Sequence, residues 1–285
     1  MASLRSCARL SLPSFRCCRS PFPPPRARRR AAQDSATIAC IGEFNSGGSA
    51  ISIPILNEAG VPVISPSNTA VGFTRRGPGA NPGEPDKYYP TGVRTYFRLT
   101  SNDAVQGGAL AAATRDGACT AIALVTDREV YGEGAGAWFR TYAKQLGLNV
   151  KASKSIRRRR SYRGLARSLK GADCFVYAGI TANGATRLFK DVGRALPKAK
   201  LFGSDGDRRV GVLAPHLALG RTPRPGLGRD ARAGGLPRLR AGVLARAGKH
   251  ADPYFLSNGD TTLKTYGLYG IRGGFFAFAG VVTAP

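Results

Sequence analysis

Between residues 33 and 206, short apolar runs alternate with amphipathic stretches of helical length, and this order constrains the fold more than any other feature of the chain. Apolar runs at 37–41, 61–64, 95–99, 121–125 and 174–177, with a further start at 200–202, predict strands. Between them, 49–58, 103–115, 132–146, 161–170 and 184–196 predict helices, several closed by Gly or opened near Asp or Ser. A polar, Pro- and Gly-rich stretch at 77–91 reads as a loop. Strand–helix alternation of this kind predicts an α/β fold with parallel sheets flanked by helices. Ligands of such folds sit outside the carboxyl ends of the strands, so the loops found there are the candidate site.

Charge separates this middle from what flanks it. The 285-residue chain carries a formal charge of +26, yet residues 33–154 contribute only +1. Residues 1–32, residues 207–250 and the run Arg157-Arg158-Arg159-Arg160 together supply +20. Both flanking blocks are rich in Arg, Ala, Pro and Gly and hold no sustained apolar period, which predicts disorder. A basic arm for nucleic acid or a membrane, a transit peptide at 1–32, and GC-rich text read out of frame all produce such composition. The abrupt boundaries of the blocks favour the last. No apolar run reaches the roughly 18–20 residues of a membrane-spanning helix.

Catalytic signatures are sparse. The only histidines, His216 and His250, lie in the basic block, no Cys-x-x-Cys pair occurs, and neither a Ser-His-Asp set nor a phosphate loop is present. Gly47-Gly48 lacks the Gly-Lys-Ser/Thr continuation of a P-loop, and Gly132-x-Gly134-x-Gly136 misses the dinucleotide spacing. Cys40, Cys119 and Cys174, each in or beside a strand, read as buried free thiols. No cofactor, metal or enzymatic activity is expected.

The strand-end loops are small and polar: Glu43-Phe44-Asn45-Ser46-Gly47-Gly48, Ser65-Pro66-Ser67-Asn68-Thr69, the stretch from Asp127 to Tyr131-Gly132, and Gly203-Ser204-Asp205-Gly206. A Ser-Gly-Gly turn feeding a helix offers backbone N–H groups at the positive helix end, suited to a carboxylate or phosphate. These residues, with Phe97-Arg98-Leu99, Gln106-Gly107-Gly108 and Tyr177-Ala178-Gly179, resemble the branched-chain amino-acid-binding family of type 1 periplasmic binding proteins of ABC transporters, collinearly over about residues 33–206.

The resemblance implies the two-lobed type 1 fold, with a partial lobe one at 33–117 and lobe two at 118–206. The flanks would be a basic leader at 1–32, the Arg-rich segment at 207–250 and a C-terminal segment at 251–285. It implies a small amino acid or amide held in the inter-lobe cleft and passed to an ABC permease outside the cytoplasm. Ser46, Gly47, Asn68 and Thr69 would meet the ligand's α-carboxylate, Tyr131 would close over it, and Asp205 would face its ammonium, with Ser67 and Thr181 as further candidates. The strand–helix–strand opening of the family has no counterpart in 1–32, so lobe one is expected to be incomplete and binding by the chain as written compromised; residues 1–32 also lack the apolar core of a secretory signal. The competing readings are a nucleic-acid-associated protein using the basic blocks, or a ligand sensor using the same cleft. Against nucleic acid, 207–250 holds no aromatic residue, so no nucleic-acid partner is expected.

Overall fold

The computed structural model describes residues 24–204, 206, 217–220, 256, 258–272 and 275–285. Two sheets organise it. The smaller is parallel in the order β1-β2-β3, from β1 (Cys40–Ile41), β2 (Val63–Ser65) and β3 (Tyr96–Arg98). It is covered by α2 (Ser46–Glu58), whose Ile53 and Leu56 pack with Val63, Phe73 and Tyr96. Before β1 lies α1 (Pro24–Gln33), which packs on α2 and brings Ala31 and Ala32 to the same core. The last nine residues of the expected disordered leader, 24–32, are therefore helical. Proline in the first helical turn removes no internal hydrogen bond, and Arg, Ala and Gln are good helix formers.

The larger sheet has the order β10-β9-β8-β7-β6-β4-β5. Its parallel part comprises β4 (Ile122–Thr126), β5 (Val150–Ser155), β6 (Cys174–Ala178) and β7 (Lys200–Gly203). Next come β8 (Leu217–Gly220), parallel to β7, and the antiparallel β9 (Thr265–Arg272) and β10 (Phe275–Thr283). On one face, α5 (Arg163–Ser168) and α6 (Ala185–Ala195) close a core with Phe175, Tyr177, Leu188 and Phe189. On the other, α3 (Asp103–Asp116) and α4 (Val130–Gln145) pack with Ile122, Leu124, Val176 and Tyr266. The helix at 103–115, assigned by sequence to lobe one, thus packs on the sheet of lobe two.

Three expectations change. The strand β5 is absent from the sequence reading because it is an edge strand, mostly exposed and carrying Lys151 and Lys154, with only β4 to pair with. Residues 217–220, inside the block expected to be unordered, form β8, whose pairing partners lie on both sides of it in the sheet. The cysteine expectation is overturned in part: Cys119 and Cys174 form a disulfide, and Cys40, buried, is the one described cysteine outside a disulfide. The remainder of 1–32 and most of 207–250 lie outside the described residues.

The loop at 77–91 is organised by a buried carboxylate. Glu84 accepts from the Asn81 backbone N–H at 2.7 Å and the Tyr88 hydroxyl at 2.6 Å, and pairs with Lys87 at 2.9 Å. Burial alone would raise its pKa, but these donors together hold it below the usual value of 4.5. A depressed carboxylate stabilises the fold above its unfolded-state pKa, and that contribution is lost as the pH falls through the folded-state value. Glu84→Gln is therefore expected to be less stable than wild type at neutral pH and to lose less on acidification from about pH 5 to pH 3. Parallel stability curves for the two proteins in urea titrations across that range would contradict it.

Candidate functional site

The strand ends of lobe one form a stitched pair of loops. Ser65, at the end of β2, accepts the backbone N–H groups of Ser67 and Asn68 at 3.2 and 2.9 Å and donates to the Glu43 carbonyl at 2.9 Å. Ser67 donates to the Phe44 carbonyl at 2.6 Å, and the Asn68 amide to the Glu43 carbonyl at 3.0 Å. The Asn68 side-chain oxygen in turn accepts from Ser49 and from Tyr96. Ser67 and Asn68 thus hold the β1–α2 and β2 loops together through their side chains.

Ser46 opens α2, buried, and its hydroxyl accepts the Thr69 backbone N–H at 3.4 Å. The helix begins here and not at residue 49, because Asn45 takes the extended backbone of an N-cap. Asn45 makes no side-chain cap and the first turn contains no acid, so the carboxylates that approach this positive helix end come from outside it, Glu43 and Glu129 each reaching 3.4 Å from where a β-carbon on Gly48 and Gly47 would sit. Thr69 stands beside this end, 1% exposed, and its hydroxyl has no hydrogen-bond partner. An orphaned hydroxyl in such a place is the group a bound oxyanion would satisfy. Phe44, 77% exposed, projects from the same loop and offers apolar surface.

The strand ends of lobe two make a second cluster. Tyr131, buried in the first turn of α4, accepts the Gly206 backbone N–H at 3.3 Å, while Thr181 donates to the Gly206 carbonyl at 3.0 Å. Gly206 approaches so closely that a β-carbon there would meet the Gly179 carbonyl at 2.5 Å. Asp127, following β4, accepts from the Ile180 backbone N–H at 2.8 Å and the Asn183 amide at 3.0 Å. Burial pushes its carboxyl pKa up, against the pull of those donors. Asp127 therefore ties the ends of β4 and β6 together. Asp205 lies outside the described residues, between Ser204 and Gly206.

The two clusters approach each other at the N-termini of α2 and α4. Glu129, the N-cap of α4, brings a carboxylate oxygen within 3.4 Å of where a Gly47 β-carbon would sit. Ser46, Gly47, Ser67, Asn68 and Thr69 are thus gathered on one side, and Tyr131 and Thr181 on the other. Phe44, Ser65 and Asp127 were missing from the sequence-derived set; the signal for Phe44 was an aromatic placed between small polar residues at a strand end.

Behind the Thr69 loop lies a buried ion pair. Arg98, wholly buried at the end of β3, donates to the Asn68 and Ala70 carbonyls at 3.3 and 2.8 Å, and its Nε lies 2.9 Å from Asp260. Asp260 also accepts from Thr74 at 2.9 Å and Asn102 at 3.0 Å. The segment around Asp260 therefore braces lobe one from behind, where the chain passes back to β9 of lobe two. Among the described residues no group of His, Cys, Asp and Glu is placed to hold a metal ion, and no helix is long and apolar enough to cross a membrane.

Solved structures share this architecture. The leucine-binding protein LivK from Thermotoga maritima superposes with a TM-score of 0.67 at 16% identity, covering 91% of this chain and 84% of its own. The branched-chain amino-acid transporter substrate-binding protein LivJ from Streptococcus pneumoniae, in complex with isoleucine, gives 0.69 at 19% identity, covering 91% and 83%. A solute-binding protein of an ABC transporter from Rhodopseudomonas palustris, in complex with benzoate, gives 0.63 at 16%, covering 92% and 83%. No curated protein matches the chain. The fold is that of the type 1 periplasmic binding proteins, as the sequence resemblance implies. The model of the receptor family ligand binding region matches residues 21–193, more than half of the chain and beginning before the span of the sequence resemblance, and the chain belongs to that family.

Proposed function

We propose that the chain is a solute-binding protein that captures a branched-chain or other small amino acid, or an amide, between its lobes and presents it to an ABC permease outside the cytoplasm, without catalysis. The observation that carries this reading is the buried, unpartnered Thr69 hydroxyl beside the uncapped N-terminus of α2. A ligand α-carboxylate there gains the helix-end N–H groups, the Thr69 hydroxyl and the field of the helix. Ser46 and Gly47 shape that end, while Ser67 and Asn68 hold it in place. Tyr131 and Thr181 approach from lobe two, with Asp205 as the partner of the ligand's ammonium. The ligands named for the three structural relatives, leucine, isoleucine and benzoate, all carry a carboxylate. The Cys119–Cys174 disulfide favours an oxidising, extracytoplasmic setting.

Thermal unfolding of the full chain with leucine, isoleucine, valine and small amides tests the reading. A bound member at about a hundredfold over its Kd is expected to stabilise by about 2.7 kcal/mol. Thr69→Val is expected to weaken that ligand roughly tenfold, from the loss of one hydrogen bond to a charged group. If no member shifts the wild-type transition, the assignment fails.

A further inference from the structure

The carboxyl ends of β5 and β6 carry a feature that amino-acid capture does not use. Arg158, Arg159 and Arg160 follow β5, and Arg187 lies in the first turns of α6; with Thr181 and Thr186 they line a cavity of about 870 Å³. All four arginines are exposed. Among the described residues none of them has a carboxylate within ion-pair distance. Four like charges around one concavity repel one another unless an anion lies between them.

The arrangement is held, not incidental. Tyr162, 3% exposed, accepts the Arg159 backbone N–H at 2.9 Å, and its hydroxyl lies 3.0 Å from the Arg157 carbonyl and 3.3 Å from the Asn183 carbonyl. Its own backbone N–H donates to Asp191 of α6 at 2.7 Å. Gly184 takes a φ of +98°, and a β-carbon there would come within 2.5 Å of the Tyr162 hydroxyl. The arginine loop is thereby pinned against the turn that opens α6. That helix has no acidic residue in its first turn, so its positive end adds to the guanidinium charge.

We propose that this cavity binds a small, multiply charged oxyanion, a polyphosphate or a polycarboxylate. Guanidinium forks match the geometry of both groups, and the Thr186 hydroxyl supplies a neutral donor beside them. The volume lies within the range of about 300–1,000 Å³ found for small-molecule sites. No aromatic side chain lines the cavity, so it lacks the stacking platform that single-stranded nucleic acid uses. The site stands independently of amino-acid capture, although Thr181 borders both.

Calorimetric titration of the full chain with tripolyphosphate and, separately, with citrate tests the proposal and distinguishes the two sources of charge. At least one is expected to bind, and the double variant Arg158→Gln/Arg160→Gln to bind it at least about tenfold more weakly, as the loss of charged hydrogen bonds requires. Tyr162→Phe, which leaves the charge unchanged, is expected to weaken binding by a smaller factor. Arg76→Gln/Arg115→Gln, which removes equal charge elsewhere on the surface, is expected to leave it unaltered. The proposal is overturned if neither anion binds, if the remote double variant loses as much as the cavity variant, or if single-stranded RNA binds more tightly than either anion through the same arginines. Leucine, isoleucine, valine and the small amides are titrated in parallel: anion binding without binding of any of these supports this site and defeats the transport reading, and binding of one of these without anion binding does the reverse.

Discussion

Arg98→Ala is expected to destabilise the protein by about 3–5 kcal/mol, the cost of taking the close counter-ion away from a buried charge. The group that loses its close counter-ion is Asp260, 3% exposed, left with the Thr74 hydroxyl, the Asn102 and Asn258 amides and, at 4.0 Å, the half-exposed Arg75 guanidinium. The same substitution frees the Asn68 and Ala70 carbonyls, which flank Thr69, from the guanidinium that fixes them. Ligand affinity is therefore expected to fall together with stability. Arg98→Met/Asp260→Leu separates the two effects. Removing both charges together avoids the unpaired ion and is expected to recover most of the stability. The carbonyls would still lack their donor, so affinity should stay low. Urea denaturation of the three proteins measures the first effect and ligand titration the second. An Arg98→Ala protein within about 1 kcal/mol of wild type would show that the pair is not a structural element of the lobe.

Sequence carried the middle of the chain well where one residue's environment is set by its near neighbours. Ile122 to Thr126 and Cys174 to Ala178 are buried throughout, and each is a short apolar run in the sequence, so strand identity needed no tertiary information. The strand-end loops were legible as a set for a related reason: small polar residues before a helix have few other uses. What the sequence could not show is how their polar groups are divided. Asn68 and Thr69 are adjacent, yet the Asn68 side chain is consumed by Glu43, Ser49 and Tyr96, whereas the Thr69 hydroxyl has no partner. That distinction depends on contacts up to 28 residues away.

Elements whose stability comes wholly from partners were invisible. The strand β8 is four residues long and is held between β7 and β9, the latter beyond the Arg-rich block. Asn102 and Asp260 are 158 residues apart, and an aspartate before two threonines carries no mark of burial. Helix α1 shows the opposite error. Its arginines suggested a solvated arm, yet Arg28 is buried and paired with Glu43, the residue whose backbone carbonyl also anchors Ser65 and Asn68. A charge count gives no weight to where each charge comes to rest.

Reducing Cys119–Cys174 is expected to have the second large effect. The bridge spans a separation of 55 residues, enclosing β4, α4, β5 and α5, so it restricts the unfolded chain over a long loop. Loop-closure entropy for that span corresponds to about 4 kcal/mol. Both sulfurs are buried in the core that α3 and α4 form with the sheet, and Cys174 pairs in register with Ile122, three residues after Cys119. The native fold therefore holds the two positions together whether or not they are bonded, and the loss should be felt mainly in the unfolded state. For a chain of this size a Tm decrease on the order of 10 °C is expected for Cys119→Ala/Cys174→Ala, with a similar fall for wild type under reducing conditions. The bridge lies at the amino ends of β4 and β6, whereas Tyr131 and Thr181 lie beyond their carboxyl ends, so ligand affinity at low temperature should be nearly unchanged, in contrast to Arg98→Ala. The outcome that would sink the idea is a Tm indifferent to reductant in a protein whose bridge is verified by mass spectrometry before reduction. If the bridge instead proves necessary for folding, the wild-type chain should accumulate in native form only where thiols oxidise, which links the chemistry of Cys119 and Cys174 directly to the compartment in which a solute-binding protein of this family would work.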